Sequence, residues 1–346
     1  PEELAPAGSA ANDAADGAAD NATIPADLAD RVVYENEHLL AIDKPAGMPV
    51  HGRNGLLAAL RPYLEGGARK SISFRPGPIH RLDRNTSGLM LFPRSLRGSQ
   101  RASDLLRTGR LEKGYLALLS GRLHGIEVWE DLLERDRSRN VTRVVSGAEG
   151  TGRPARSVVA PLAGGPTGTE DGPEVTLALI RIETGRTHQI RAQAEAHGHP
   201  LLGDTKYGGG GGRGAGINHG PGGAGRGRGG RVHGRADRGG KGAAIPPDAY
   251  FLHAAVLINR DPDEVFPARV ICAPPGRERR KELGARLGVR DAPKGDRGTG
   301  AGAGAGTGAG AGGRAAGTAA ELDAALSCTA LSESLSGLVY KEPGNQ

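Results

Sequence analysis

The sequence predicts a protein of the α+β class. Short apolar runs with strand character recur along the chain, few stretches have a helical pattern, and strands and helices do not alternate regularly. The chain of 346 residues is long enough for one large domain or two small ones. Its apolar fraction is only 37%, because 58 glycines are present and clustered. Without the Gly-rich parts the composition is that of an ordinary globular protein.

The elements are predicted in order from apolar runs bounded by turn residues. Residues 32–34 and 39–42 form two strands joined by a turn at "EN", and "KPAGMP" then leaves the sheet. Residues 97–113 are predicted to be mostly helical. A second, short helix is expected after Thr187 as N-cap, with Gly198 at the C′ position. The remaining strands are predicted at "GYLALLSGRL" (114–123), 156–162, 175–183, 250–258 and 268–274, with a hairpin loop at 165–173.

Composition divides the chain into three parts. Residues 1–29 are predicted to be a disordered acidic leader, because seven acidic residues precede the first basic one. Residues 30–280 form the folded domain, which carries a flexible Gly/Arg-rich insertion at 208–245. This insertion either follows RNA phosphates or is a solvated spacer. Residues 281–346 are a low-complexity tail, in which a short helix is possible but has no evident function.

The charge balance favours nucleic acid as a partner. The net charge is +6, and 37 of the 45 basic residues are arginine, whose planar fork suits phosphates and bases. A genome that favours Arg codons is the alternative explanation. Cys272 and Cys328 make neither a disulfide framework nor a metal-like spacing. No apolar run approaches the roughly 18 residues of a membrane span, and no signal peptide is recognised. We therefore predict a cytoplasmic protein without a membrane partner; a monomer is predicted because no unburied apolar stripe stands out.

The stretch "GPIHRLDRNTSGLMLFPRS" (77–95) carries the strongest indication of chemistry. Polar and charged residues precede a turn and then an apolar strand, which is how a chain places a reactive group on a loop against a buried sheet. The alternative is an ordinary loop with solvated Arg and Asp residues. Thr86, Ser87 and Gly88 are expected to shape the loop, the hydroxyls by holding the turn and Gly88 by relieving backbone crowding.

Three other motifs carry little weight. "HRLDRN" is not a kinase catalytic loop, because Leu82 interrupts the His-Arg-Asp run. "GRGRGG" satisfies a dinucleotide-binding pattern, but it lies in low-complexity sequence rather than between a strand and a helix. His197 and His199 have no further ligands at metal spacing, so no metal is predicted.

Three blocks in order, "HRLDRNTSG", "KGYLALLSG" and "TGRTHQIRAQAEAHGHPLLGDTKYG", closely resemble the RluA family of RNA pseudouridine synthases. "KPAGMPVH" upstream and "FLHAAVL" downstream add to the resemblance, which covers roughly residues 32–275. It implies a mixed, largely antiparallel central sheet flanked by helices, with an RNA cleft across one face. It also implies isomerisation of specific uridines in structured RNA, ribosomal or transfer RNA, without cofactor or metal.

The resemblance assigns the catalytic residues. Asp83 is implied to be the carboxylate that acts at the anomeric carbon as nucleophile or base. Arg191 is implied to be the cation that keeps this carboxylate charged when a base covers it. Tyr115 is implied to stack on the base and to accept the proton from its C5. Leu116 and Ile190 are expected to form the wall of the pocket.

Five further residues are predicted to bind RNA. The resemblance implies that Arg81 fills the gap left by the flipped nucleotide. His80 lies beside it, and Lys44 and Arg186, together with Arg84, are expected to contact phosphates. This chain departs from many family members, because no S4-type RNA-binding domain is visible before residue 32. Two rival functions remain open at this point, a catalytically silent RNA-binding protein on the same fold and a carboxylate glycosidase.

Overall fold

The computed structural model describes residues 23–66, 74–147, 152–167, 172–208, 250–289 and 319–338. The predicted insertion at 208–245, apart from its first residue, and most of the predicted leader lie outside these residues. The described strands are β1 Val32–Glu35, β2 Leu39–Lys44, β3 Ser87–Pro93, β4 Leu111–Ser120, β5 Glu127–Asp136, β6 Val141–Val145, β7 Arg153–Pro166, β8 Glu174–Ile182, β9 Leu252–Asn259 and β10 Val270–Cys272.

All ten strands belong to one sheet. Their order is β1-β2-β3-β9-β4-β8-β7-β5-β6, and β10 pairs with β9. The β3–β9 pair is parallel, and every other pair among the described strands is antiparallel. The predicted mixed, largely antiparallel sheet of an α+β protein is therefore confirmed.

Seven helices flank the described sheet: α1 Ala26–Ala29, α2 Leu56–Gly66, α3 Leu96–Arg107, α4 Gln189–Ala196, α5 Arg277–Arg286, α6 Ala319–Ala325 and α7 Cys328–Gly337. Local sequence explains the bounds of α3. The Ser95 side chain accepts a hydrogen bond from the Gly98 N–H at 3.0 Å, as an N-cap does. The helix ends earlier than residue 113, because Gly109 has a positive φ and β4 begins at Leu111.

Alternation along β4 assigns its side chains to the two faces of the sheet. Tyr115, Ala117 and Leu119 belong to a core that also contains buried residues of α2 and α4. Leu116 and Leu118 belong to a second core, on the face covered by α5, α6 and α7. Since successive strand residues point to opposite faces, Tyr115 and Leu116 cannot line the same pocket.

The domain extends beyond the predicted bounds at both ends. Leu28 in α1 is buried in the first core, so the segment just before residue 30 is folded against the sheet. Leu322, Leu331 and Leu335 are buried in the second core. The helical stretch of the predicted tail therefore has a structural function, since it covers apolar sheet surface. The strands β5 and β6 and the helix α2 were not predicted.

Gly88 lies where β3 and β9 run side by side, and we predict that it tolerates no side chain. Its φ is +108°, and a Cβ atom would lie 2.2 Å from the carbonyl oxygen of Ala254. Gly88→Ala should lower the free energy of unfolding by about 3 kcal/mol or more, through backbone strain and overpacking. Gly77→Ala is the control, because a Cβ there meets no atom within 4 Å, and it should change stability by less than about 1 kcal/mol. Urea unfolding measures the stability of both variants. Equal midpoints for Gly88→Ala and Gly77→Ala would contradict the close approach of Gly88 to the backbone of Ala254.

His253 makes stability sensitive to acid. Its Nδ1 lies 2.8 Å from Ser87 Oγ and its Nε2 2.5 Å from the Ala273 carbonyl, and the side chain is fully buried. Burial lowers the pKa of His253 to about 4. As pH falls below the unfolded pKa of about 6.5, the unfolded state binds a proton first, so stability is lost until pH reaches about 4.

We predict that this imidazole lowers the free energy of unfolding by roughly 3 kcal/mol as the pH falls from 6.5 to 4. His253→Gln should be less stable at pH 7 but should show a flatter dependence over that window. His124→Gln, at an exposed histidine, should leave the wild-type profile unchanged. Denaturant unfolding at several pH values tests this, and a profile of His253→Gln parallel to that of the wild type would show the prediction to be wrong.

Candidate active site

Asp83 is held on a short, fixed loop before β3. The flanking Leu82 and Thr86 are buried, and the Thr86 N–H donates to the Asp83 carbonyl at 3.1 Å. The carbonyl of Arg84 accepts from the Gly47 N–H at 2.9 Å, which ties the loop to the segment after β2. The Asp83 side chain is 18% exposed. A carboxylate is therefore presented from a rigid loop with limited access to water.

Two basic side chains approach the two oxygens of Asp83 separately. Arg191 Nη1 lies 3.6 Å from Oδ2, and His188 Nε2 lies 3.8 Å from Oδ1. The pairing of Asp83 with Arg191, which the resemblance implied, is thus present in the structure. At 3.6 Å it is an electrostatic contact rather than a hydrogen bond.

The tightest partner of Arg191 is Asp204, not Asp83. Its Nε and Nη2 donate to the two carboxylate oxygens of Asp204 at 2.7 and 2.8 Å. The guanidinium carbon lies 4.7 Å from the ring centre of Tyr207 and 4.5 Å from that of Tyr250. Burial acts to lower the pKa of Arg191, but Asp204, Tyr250 and Asp83 raise it above its ordinary value. Arg191 is therefore a permanent cation fixed in direction by a bidentate bond and two rings.

Tyr115 projects from β4 toward the same loop. Its side chain is buried, and burial together with the charge of Asp83 raises the pKa of its hydroxyl above the ordinary value. The phenol is therefore protonated at neutral pH and can donate a hydrogen bond or stack. A base at this position would need a lowered pKa, so the raised pKa of Tyr115 disfavours the proton-accepting function.

Asp83 lies between two cavities. The first, of about 570 Å³, is lined by Asp83, Tyr115 and Ile190 among others, and the second, of about 390 Å³, is lined by Asp83, Arg135 and Lys206 among others. Asp83, His188 and Arg191 line both. In the part of the chain that the structure describes, no three His, Cys, Asp or Glu side chains converge as metal ligands. Among the described helices, none is both long and apolar enough to cross a membrane.

Comparison with known proteins identifies this arrangement. Residues 38–196 match the family model described as RNA pseudouridylate synthase, and this segment contains Asp83, Tyr115 and Arg191. Residues 38–196 are therefore similar to RNA pseudouridylate synthases.

Curated relatives are similar over the same part of the chain. The chain is 34% identical over 183 residues to ribosomal large subunit pseudouridine synthase D of Nitrosomonas europaea, covering 51% of this chain and 49% of the relative. It is 33% identical over 196 residues to ribosomal large subunit pseudouridine synthase C of Escherichia coli K12, covering 52% and 54%. The chain therefore spans about half the length of the curated relatives it matches.

A solved structure shares the fold. The human RNA pseudouridylate synthase domain containing 1 superposes with a TM-score of 0.50 at 24% identity, covering 75% of this chain and 85% of that chain. At this identity the likeness concerns the fold alone. It agrees with the mixed sheet and flanking helices described above.

Four of the five residues predicted to bind RNA line the two cavities: Arg81, Arg84, Arg186 and His80. Arg81 is exposed and lines both. Arg186 lines the first cavity, with its Nε donating to the Pro154 carbonyl at 3.1 Å. His80 also lines it, but burial and the charge of Lys113 lower the pKa of His80 to about 3, so it is neutral and does not attract phosphate as a cation.

The prediction that Lys44 contacts phosphates is wrong. Its side chain is fully buried, and the ammonium donates to the carbonyls of Pro45, Met48 and Arg84 at 2.9, 2.8 and 3.0 Å. Burial lowers the pKa of Lys44 to about 8, while Asp83 and Asp43 act to raise it. Lys44 therefore joins the loop after β2 to the loop that carries Asp83.

The prediction that Leu116 walls the pocket is also wrong. Leu116 is fully buried in the second core, on the opposite face of the sheet from Asp83. Ile190, in contrast, lines the first cavity from the first turn of α4. The N-cap of α4 is His188 rather than Thr187.

Sequence reasoning missed five residues of the site: Lys113, His188, Asp204, Tyr207 and Tyr250. Lys113 lies two positions before Tyr115 on β4, lines the first cavity, and has its pKa lowered by burial. His188, Asp204 and Tyr207 were all within the block "TGRTHQIRAQAEAHGHPLLGDTKYG", so a signal for them existed. Tyr250 follows the Gly-rich segment, and nothing in the local sequence indicates its place beside Arg191.

Proposed function

We propose that this chain is an RNA pseudouridine synthase that isomerises uridine in ribosomal RNA. The observation that carries the proposal is the position of Asp83, a carboxylate between two cavities with a fixed cation beside one of its oxygens. The reaction needs one carboxylate near the anomeric carbon, and no redox or hydrolytic partner. The similarity of residues 38–196 to RNA pseudouridylate synthases supports the same reaction.

In the proposed reaction the target uridine leaves its stack and enters the first cavity. Asp83 acts at the sugar while the bond between C1′ and N1 breaks. The uracil turns and rejoins C1′ through C5. C5 then loses its proton and N1, freed from C1′, gains one, so the reaction is an isomerisation without net loss of atoms. Tyr115 and Ile190 contact the flat faces of the base, and Arg191 keeps the Asp83 carboxylate charged as the base excludes water.

Ribosomal RNA is the proposed substrate because the similar curated proteins are named for the large ribosomal subunit. Transfer RNA is the alternative. The cytoplasmic location and the monomeric state stay predictions, and so does the absence of a cofactor. A catalytically silent RNA-binding protein on this fold is the rival function, which the intact set of Asp83, Tyr115 and Arg191 disfavours.

Pseudouridine mapping on total RNA tests the proposal. Cells that lack the protein are compared with the same cells after the wild-type chain is restored. A uridine of large-subunit ribosomal RNA that is modified only when the chain is present supports the proposal. If the uridine that is modified only in the presence of the chain lies in a transfer RNA, the proposed substrate is wrong and transfer RNA replaces it. If no uridine in any RNA requires the chain for its modification, the silent RNA-binding protein is favoured.

Lys44 and Arg81 should respond differently to salt, because only Arg81 is exposed at the cavities. Lys44→Met leaves three carbonyls without their donor and should lower stability by about 1–3 kcal/mol. It should leave the salt dependence of RNA binding unchanged. Arg81→Met removes an exposed cation from the RNA-facing cavities and should reduce the slope of log K against log salt by about 0.7–0.9, the value for one neutralised phosphate. Binding titrations at several salt concentrations measure both slopes. A reduced slope for Lys44→Met would show that Lys44 contacts a phosphate after all.

A further inference from the structure

His188 holds a strained backbone conformation beside the reactive carboxylate. Its φ and ψ are 52° and 25°, in the left-handed region that side chains other than glycine rarely adopt. Although it is the N-cap of α4, its side chain makes no capping hydrogen bond. The side chain is instead directed between Tyr207 and Asp83, with 11% of its surface exposed. Such strain is kept where the surroundings require that position of the side chain.

The hydrogen bonds around Tyr207 favour one tautomer of His188. The Thr142 N–H donates to Tyr207 Oη at 2.8 Å, so this oxygen already accepts a bond. Tyr207 Oη lies 2.8 Å from His188 Nδ1. When the phenol proton points at Nδ1, this hydroxyl both donates and accepts, and Nδ1 is the acceptor. In that arrangement the proton of a neutral imidazole is on Nε2.

The protonated nitrogen faces Asp83. His188 Nε2 lies 3.8 Å from Oδ1, while Arg191 Nη1 lies 3.6 Å from Oδ2. Burial lowers the pKa of His188, and the charges of Arg191, Lys206 and Arg135 lower it further, against the opposite effect of Asp83. His188 thus directs an N–H, rather than a second full charge, at the carboxylate.

We infer that His188 is a positioning residue, whose Nε2–H orients Asp83 Oδ1 and whose tautomer is set by Tyr207. With an N–H group near each oxygen, at 3.8 and 3.6 Å, the carboxylate is attracted from two sides and its orientation is restricted. Misplacement of a reactive group by about 1 Å can cost a hundredfold in rate. This inference rests on the proposed function, since it assigns a task in the same reaction.

Two substitutions at His188 separate positioning from a structural function. In His188→Gln the amide can reach the place of Nε2 and donate to Asp83, whereas in His188→Asn it reaches only the place of Nδ1 and can contact Tyr207. Asn tolerates the left-handed conformation better than Gln. If only backbone strain or the Tyr207 contact mattered, His188→Asn would be the better replacement.

The positioning function therefore predicts the reverse order. In single-turnover assays with saturating ribosomal RNA, His188→Gln should stay within about tenfold of the wild-type rate, and His188→Asn should fall about a hundredfold. RNA affinity should be unchanged in both. An Asn variant that equals or exceeds the Gln variant overturns the inference. A wild-type chain without activity on any RNA would instead overturn the proposed function.

The tautomer itself can be measured without a rate. Nitrogen NMR of ¹⁵N-histidine-labelled wild-type protein should show His188 neutral with the proton on Nε2. Tyr207→Phe removes the hydroxyl that fixes this state and should give a mixture of both tautomers. A wild-type proton on Nδ1, or a spectrum unchanged in Tyr207→Phe, overturns the inference even if the His188 variants fail to fold.

Discussion

Asp83→Asn should abolish pseudouridine formation while the fold and the affinity for RNA are retained. The expected loss of rate is at least about a thousandfold, because removing a reacting group leaves only the contribution of binding and orientation. The amide has nearly the same shape as the carboxylate, but it carries no charge and is a poor nucleophile. Single-turnover conversion of ribosomal RNA, followed by mapping of the modified uridine, measures the effect.

The structure explains why this substitution should leave the fold intact. Arg191 keeps its bidentate bond to Asp204 and its contacts with two tyrosine rings, so loss of the Asp83 charge leaves no buried cation unpaired. The backbone bond from Thr86 to the Asp83 carbonyl does not involve the changed group. The unfolding free energy should therefore change by less than about 1 kcal/mol.

Asp104→Asn is the matched control for this prediction. Asp104 is half-exposed on α3 and does not itself line either cavity, although its partner Arg107 lines the first. The same change of chemistry there should therefore leave most of the rate, in contrast to the loss expected for Asp83→Asn. Retained activity in Asp83→Asn would mean that the carboxylate is not the reacting group. A parallel loss of RNA binding and activity would assign Asp83 to binding and favour the silent RNA-binding protein.

Much of the sheet was predictable because its signals are local. Apolar runs bounded by turn residues gave β1, β2, β4 and β7 to β10 within a few residues. The strands β5 and β6 were missed because charged residues interrupt them, as in "EVWEDLLERD". Only their pairing with each other and with β7 makes them strands, and that pairing is a tertiary effect.

Two errors at the site have different physical causes. Leu116 could have been placed correctly, because the period of two along a strand puts it opposite Tyr115. Lys44 could not, because its ammonium is bound by the carbonyl of Arg84, 40 residues further along the chain. A lysine in a glycine- and proline-rich loop is usually exposed. Lys44 is buried only because the loop that contains Arg84 packs against it in the folded chain. The partnership of Tyr250 with Arg191 likewise spans 59 residues and has no local signal.

The pair of Arg191 and Asp204 should be the costliest to break. Asp204 is only 1% exposed, and its Oδ1 also accepts the N–H groups of Lys206 and Tyr207 at 3.1 and 3.2 Å. Arg191→Met removes the cation from a buried carboxylate, which should lower the free energy of unfolding by about 3–5 kcal/mol. Arg191→Lys should recover only part of this, because an ammonium cannot donate in the bidentate geometry.

The double variant Arg191→Met with Asp204→Asn separates stability from activity. It removes the unpaired charge, so it should be more stable than Arg191→Met alone. Together with the wild type and the two single variants, Arg191→Met and Asp204→Asn, it completes a double-mutant cycle that gives the coupling energy of the pair. Activity should remain lost, because Asp83 has no cation beside Oδ2 in either variant. The surface pair of Arg107 and Asp104 is the control cycle, with an expected coupling below about 1 kcal/mol. An active double variant would show that Arg191 serves Asp204 alone, and a coupling as small as that of the surface pair would contradict the buried bridge.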